Sequence, residues 1–106
     1  MLAFVNMANE TFLKTELFGL TLRDQLILHA EDDLESGWCV IVTCSGEGEY
    51  DFEFPMPEDQ SPPWKYATVK GMATDLVEAR NYLIIAMIQS RGWKGSEELK
   101  ALFKAL

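Results

Sequence analysis

Lysine and arginine are missing from residue 24 to residue 59, a stretch that holds eleven carboxylates: Asp24, Glu31, Asp32, Asp33, Glu35, Glu47, Glu49, Asp51, Glu53, Glu58 and Asp59. Cations gather at the other end, where residues 60–106 carry seven Lys or Arg against four Asp or Glu. The formal charge of −8 is therefore concentrated in the middle third of the chain. A field of one sign repels nucleic acid and speeds encounter with basic surfaces; it carries no information about fold.

Other shortages narrow the chemistry. The chain has one His, and neither of its two Cys has a catalytic partner nearby in sequence. There is no Gly-rich phosphate loop, nucleophile elbow or zinc motif, so neither an enzyme nor a cofactor is expected. His29 with Asp32 or Asp33 has a spacing that converges on a helix surface, but one His and two carboxylates make an incomplete metal set. The longest apolar run, Tyr82 to Ile88, is far short of the roughly 20 residues that a membrane span requires. Met1 to Val5 is apolar but lacks a preceding basic residue and is followed by Asn6, Asn9 and Glu10, a poor secretory signal. A soluble cytoplasmic protein is expected.

Cys39 and Cys44 fall in one candidate strand. Five residues of extended chain separate them by about 16 Å and point them to opposite faces. A disulfide requires Cα atoms within about 7 Å, so two reduced, packed thiols are expected.

What is present suffices for folding. With 106 residues, 48% of them hydrophobic, the chain has the size and apolar content of a single domain, 1–106, around one core.

The clearest local signal is a hairpin. Residues 38–44 (WCVIVTC) are β-branched and apolar on both faces, as in an inner strand. After a turn at Ser45-Gly46-Glu47-Gly48, residues 48–54 alternate strictly, with Tyr50, Phe52 and Phe54 on one face and Glu49, Asp51 and Glu53 on the other. All four prolines then fall between residues 55 and 63, which predicts a connecting loop to about Lys65, long enough to be a binding loop and ending in Trp64 and Tyr66.

Helices are read from apolar stripes. Residues 10–20 suit a short helix or an edge strand equally. Thr21 as N-cap, with Leu22, Leu26, Ile27, Ala30 and Leu34 on one face and a stop at Gly37, predicts a helix; a rival period-two reading places Asp24 in the buried row. Residues 68–91 predict one long helix, striped by Val69, Met72, Ala73, Leu76, Ala79, Leu83, Ala86 and Met87 and stopped at Gly92. Its second half is apolar nearly all round and must be deeply buried or shared with another subunit. Ser96 caps a short last helix, 96–106. The fold class expected is α+β: a small antiparallel sheet built on the 38–44/48–54 hairpin, with a third strand from residues 10–20 to support it, against the helix 68–91.

Segment 74–87 (TDLVEARNYLIIAM) resembles the corresponding helix of small HicB-type antitoxins. The acidic hairpin and the proline loop depart from that pattern, so no residue role is carried over.

The functional expectation rests on the acidic residues. Alternate residues on one face of a strand stand about 6.7 Å apart, close to the phosphate repeat of a nucleic-acid strand. Glu47, Glu49, Asp51 and Glu53, extended by Glu31, Asp32, Asp33 and Glu35, can thus imitate a phosphate backbone. A solvated outer strand face is the plain alternative, and Arg80, Arg91, Lys94, Lys100 and Lys104 are candidates to neutralise the row. The reading is a non-enzymatic protein that blocks a basic, nucleic-acid-processing partner, as inhibitor, immunity and antitoxin proteins do, possessing aromatic anchors in Trp38, Trp64 or Tyr66. The other reading is a structural or assembly subunit, with a homodimer through Tyr82, Ile85 and Ile88.

Overall fold

Among the described residues, five strands form one antiparallel meander. The computed structural model describes residues 2–15, 17–22, 24–29, 39–44, 48–56, 67–93 and 95–106. Helix α1 (Leu2–Thr11) leads into strands β1 (Phe18–Leu22), β2 (Gln25–His29), β3 (Cys39–Cys44), β4 (Tyr50–Pro55) and β5 (Thr68–Ala73), followed by helices α2 (Leu76–Gln89) and α3 (Glu97–Lys104). The strands lie side by side in chain order. The fold is α+β, as expected.

The β3–β4 hairpin occurs as read, with Ile41 opposite Glu53 and Cys44 opposite Tyr50. Tyr50, Phe52 and Phe54 are buried while Asp51 and Glu53 are only half-buried, so the alternation seen in the sequence is the alternation of the pleat. The Phe4 ring lies 5.5 Å from Tyr50 and 6.0 Å from Phe52. Phe52 meets Tyr82 edge-on at 6.2 Å. Val40, Val42, Leu83, Ile84, Met87 and Leu99 complete a core lying between one sheet face and the helices. Cys44 is a half-buried thiol on the same side as Tyr50.

The helix expected from Thr21 is replaced by the β1–β2 hairpin. Thr21 pairs with Leu26 and Leu22 with Gln25, so Thr21 is a strand residue and no cap. Asp24 occupies the tight turn, which resets the alternation and removes it from the buried row that the period-two reading had assigned to it. Leu26 and Leu28 then lie opposite Val42 and Val40 and are buried. Pairing with a strand more than ten residues away outweighs a local helical stripe. Gly37 and the rest of 30–38 lie outside the described residues, as does most of the proline loop. The open segment 10–20 divides between the end of α1 and the start of β1.

The single helix 68–91 is also corrected. Its first six residues form β5, paired with β4 from Pro55–Thr68 to Tyr50–Ala73. The helix starts only after Asp75, whose extended backbone and side chain make it the N-cap: its carboxylate accepts the Glu78 N–H at 2.7 Å, while Glu78 accepts the Thr74 N–H at 3.1 Å. These reciprocal bonds satisfy donors that a helix start leaves open. At the other end Arg91, at φ 64°, turns the chain out one residue before the expected Gly92. Of the two alternatives its composition left, burial or sharing with another subunit, the second half of α2 shows burial, through Leu83, Ile84, Ala86 and Met87.

Helix α3 is capped by Ser96, which accepts the Leu99 N–H at 3.1 Å. It is tied to the segment after α1 by Glu98. That carboxylate accepts the backbone N–H groups of Leu13, Lys14 and Thr15 at 3.0–3.1 Å and the Thr15 hydroxyl at 2.8 Å. Desolvation pushes the Glu98 pKa up, but the bonds from Lys14, Thr15 and Leu13 together outweigh it and hold the group below its ordinary value. A depressed folded-state pKa contributes stability above the unfolded-state value of about 4.3, lost as pH falls through the folded-state value. Glu98→Gln should therefore lower stability at neutral pH, and the gap between variant and wild type in urea denaturation should shrink as pH falls below about 4. A gap independent of pH would show that the Glu98 charge contributes nothing.

Candidate functional site

Antiparallel register places directly opposed residues on one face. With Leu26, Leu28, Val40, Val42, Tyr50, Phe52 and Phe54 committed to the core, the other face carries Gln25 and Ile27 of β2, Ile41 and Thr43 of β3, Asp51 and Glu53 of β4, and Lys70 and Met72 of β5. The described helices pack on the core side. The outer face is shaped into a shallow, open concavity of about 460 Å³, lined by Gln25, Ile41, Thr43, Asp51, Glu53, Lys70 and Met72. Carboxylates, a hydroxyl, an amide and apolar side chains thus share one surface.

Its electrostatics differ from the sequence expectation at Glu53. Glu53 is met by Lys70 from the neighbouring strand, with Nζ 3.2 Å from Oε2. The pair is exposed, and such pairs stabilise by about 1 kcal/mol or less. Its effect is on the pattern of charge: the acidic row is interrupted by a cation from β5. The C-terminal helices expected to neutralise it lie on the core side, and Lys100 bonds Glu97 within α3 at 3.2 Å. Lys94 lies outside the described residues.

Of the acidic residues singled out, Asp51 and Glu53 lie on the outer face and Glu49 is exposed immediately before β4. Glu31, Asp32, Asp33, Glu35, Glu47, Trp38, Trp64 and Tyr66 lie outside the described residues. Gln25, Ile41, Thr43, Lys70 and Met72 were not anticipated. For Gln25, Lys70 and Met72 the signal is the period-two register of β2 and β5, which a helical reading of 21–34 and 68–91 conceals; Ile41 and Thr43 lie on β3, whose apolar residues on both faces hide which face is outward.

His29 lies in β2 and not on a helix, so the helical spacing to Asp32 and Asp33 does not apply. Its ring is buried and its Nδ1 has no hydrogen-bond partner among the described residues. Among the described residues no three His, Cys, Asp or Glu side chains are grouped to hold a metal ion. None of the described helices is long and apolar enough to cross a membrane.

A second concavity, about 210 Å³ and mostly apolar, runs between β5 and α2. Tyr82 and Ile85, expected at a subunit contact, line it, whereas Ile88 packs against the core. Comparison of the chain with family models, with curated proteins and with solved structures finds no match.

Proposed function

We propose that this protein is a non-enzymatic, acidic binding module that blocks a basic, nucleic-acid-processing partner through the outer face of its sheet, as inhibitor, immunity and antitoxin proteins do. The observation that carries the reading is the position of Asp51 and Glu53 on the sheet face away from the described helices, within a concavity that also offers Ile41, Thr43, Gln25 and Met72. An antiparallel sheet commonly leaves one face to solvent, and a carboxylate row there costs little in the absence of a partner. The apolar side chains among the carboxylates add a further element. Protein interfaces combine a desolvated apolar centre with polar surroundings that set orientation and on-rate. Asp51 and Glu53 keep the spacing of a phosphate mimic, while Lys70 and Ile41 favour contact with a protein surface over a uniform copy of a nucleic-acid backbone.

The test is charge reversal. Glu49→Lys, Asp51→Lys and Glu53→Lys together should leave a folded protein, since all three sites are exposed or half-exposed. New like-charge contact with Lys70 should cost about 1 kcal/mol or less. In capture from the native host's lysate, wild type should retain a basic partner at low salt and lose it at high salt. The reversed bait should bind at least about tenfold more weakly, a change of about 1.4 kcal/mol. Equal capture of that partner by the folded variant would sink the proposal. Salt-resistant self-association through Tyr82 and Ile85 would instead indicate an assembly subunit.

A further inference from the structure

The groove beside β5 points to an activity separate from that of the outer face. β5 is the last strand of the sheet. The Met56 N–H donates to the Ala67 carbonyl at 2.9 Å, and continuing that pattern through the antiparallel register turns the main chain of Val69, Gly71 and Ala73 toward β4. The N–H and C=O groups of Thr68, Lys70 and Met72 then face outward along the edge, where no described strand pairs with them. A strand edge of this kind is a template for another extended chain.

Apolar surface lies directly alongside. The groove between β5 and α2 is lined by Phe54, Val69, Gly71, Tyr82, Ile85 and Ala86, with Lys70 and Gln89 among its polar residues. Gly71 sits at its floor in a non-left-handed conformation, and a Cβ built there meets nothing within 4 Å. Glycine inside a strand weakens it, and often marks a place where another chain or a ligand comes close. A strand added to β5 would direct alternate side chains to the helix side, into the space that Gly71 leaves open beside Tyr82 and Ile85.

We infer that the β5 edge and the adjoining groove bind an extended peptide segment of a partner protein by strand addition, taking apolar side chains at alternate positions. Main-chain bonds would supply affinity and the groove selectivity. The net charge of −8 favours a segment flanked by Lys or Arg. It disfavours a second copy of this chain, which carries the same charge; antiparallel pairing of two β5 edges centred on Lys70, with Thr68 opposite Met72, would also set Lys70 opposite its copy, a destabilising cross-strand pair. Lys70 thus guards the edge against self-pairing, and a peptide presenting Thr or Gln at that position avoids the penalty.

The probe is a pool of short synthetic peptides with Val, Ile, Leu or Phe at alternate positions, Thr or Gln between them and Lys at both ends. Binding is followed by NMR on the isotope-labelled protein. Bound members should shift and protect the amides of Thr68, Lys70 and Met72 and perturb Tyr82 and Ile85. N-methylation of alternate peptide amides should abolish binding. Gly71→Val, whose Cβ meets no atom within 4 Å, adds bulk on the groove side and should weaken binding at least about tenfold, or about 1.4 kcal/mol, while Ala105→Val at the far end of α3 should not. Three results would overturn the inference: no member binding below millimolar concentration, binding indifferent to N-methylation, or shifts confined to Gln25, Thr43 and Asp51. The last would leave the outer-face proposal standing. Protection of the β5 amides in the free protein, with a doubled mass, would also overturn it by assigning the edge to a second copy.

Discussion

Phe4→Ala should lower the unfolding free energy by about 3–5 kcal/mol, against a total of about 5–15 kcal/mol for a domain of this kind. Phe4 has no exposed surface, and its ring meets Tyr50 and Phe52 at the centre of the aromatic face of β4. Removing the ring deletes its transfer free energy and leaves a cavity that the rigid sheet on one side and α2 on the other cannot close. A nearby residue supplies the control. Leu13 is 78% exposed, and its truncation should change stability by no more than about 0.5 kcal/mol. In denaturant titrations the Phe4 variant should show a lower midpoint at an unchanged slope. A loss below about 1 kcal/mol would show that α1 is not part of the cooperative core.

Leu99→Ala should cost about 2–5 kcal/mol and should act first on one element. α3 has eight residues, too few to be stable alone, since isolated helices shorter than about 12–15 residues are marginal in water. Leu99 is its one fully buried side chain among the described residues, while Phe103 and Leu106 are exposed. Loss of that anchor should release α3 before the sheet unfolds. Glu98 would leave with it, freeing the amides of Leu13, Lys14 and Thr15 that it holds. Hydrogen exchange should therefore accelerate together in α3 and in residues 13–15, with β3 and β4 still protected. Uniform acceleration throughout would mean that α3 unfolds only with the whole domain. Phe103→Ala, at 39% exposure, should have a much smaller effect.

These two variants and the charge reversal address different levels of the same architecture. Phe4 and Leu99 report whether the helices hold the core side of the sheet, which is the condition for the other face to remain available. Asp51 and Glu53 then present their charge without opposing the fold, because their neighbours Tyr50, Phe52 and Phe54 have already satisfied the hydrophobic requirement of β4. The alternation of a strand lets one segment bury one set of side chains and present the other outward.

The candidate site was partly legible. Asp51 and Glu53 could be assigned to a solvent-facing row from sequence, because strict alternation in 48–54 admits one pleat and one buried face. Lys70 could not be placed beside Glu53, because the 68–73 segment carries apolar residues at spacings that a helix accommodates equally well. The groove next to β5 was hidden for the same reason: a helix over 68–91 has no strand edge. In the sequence, Tyr82 and Ile85 indicate a subunit contact on α2 and give no sign that β5 forms the opposite wall.

The sequence by itself determined the α+β class, the β3–β4 hairpin, the cap and start of α3 and that the second half of α2 must be covered. Those features follow from local rules: side-chain alternation, turn chemistry, and Ser96 ahead of Glu97 and Glu98 at a helix start. Tertiary structure alone decided that 18–29 fold as two strands, that 68–73 close the sheet and that α1 covers its aromatic face. Short apolar segments satisfy helical and extended periods alike. The choice between them depends on free energy from partners distant in the chain: Val40 and Val42 for β2, Phe52 and Phe54 for β5, Tyr50 and Phe52 for α1. Once those partners are in place, the outer-face concavity around Asp51 and Glu53 and the β5 edge that no described strand pairs stay open among the described residues.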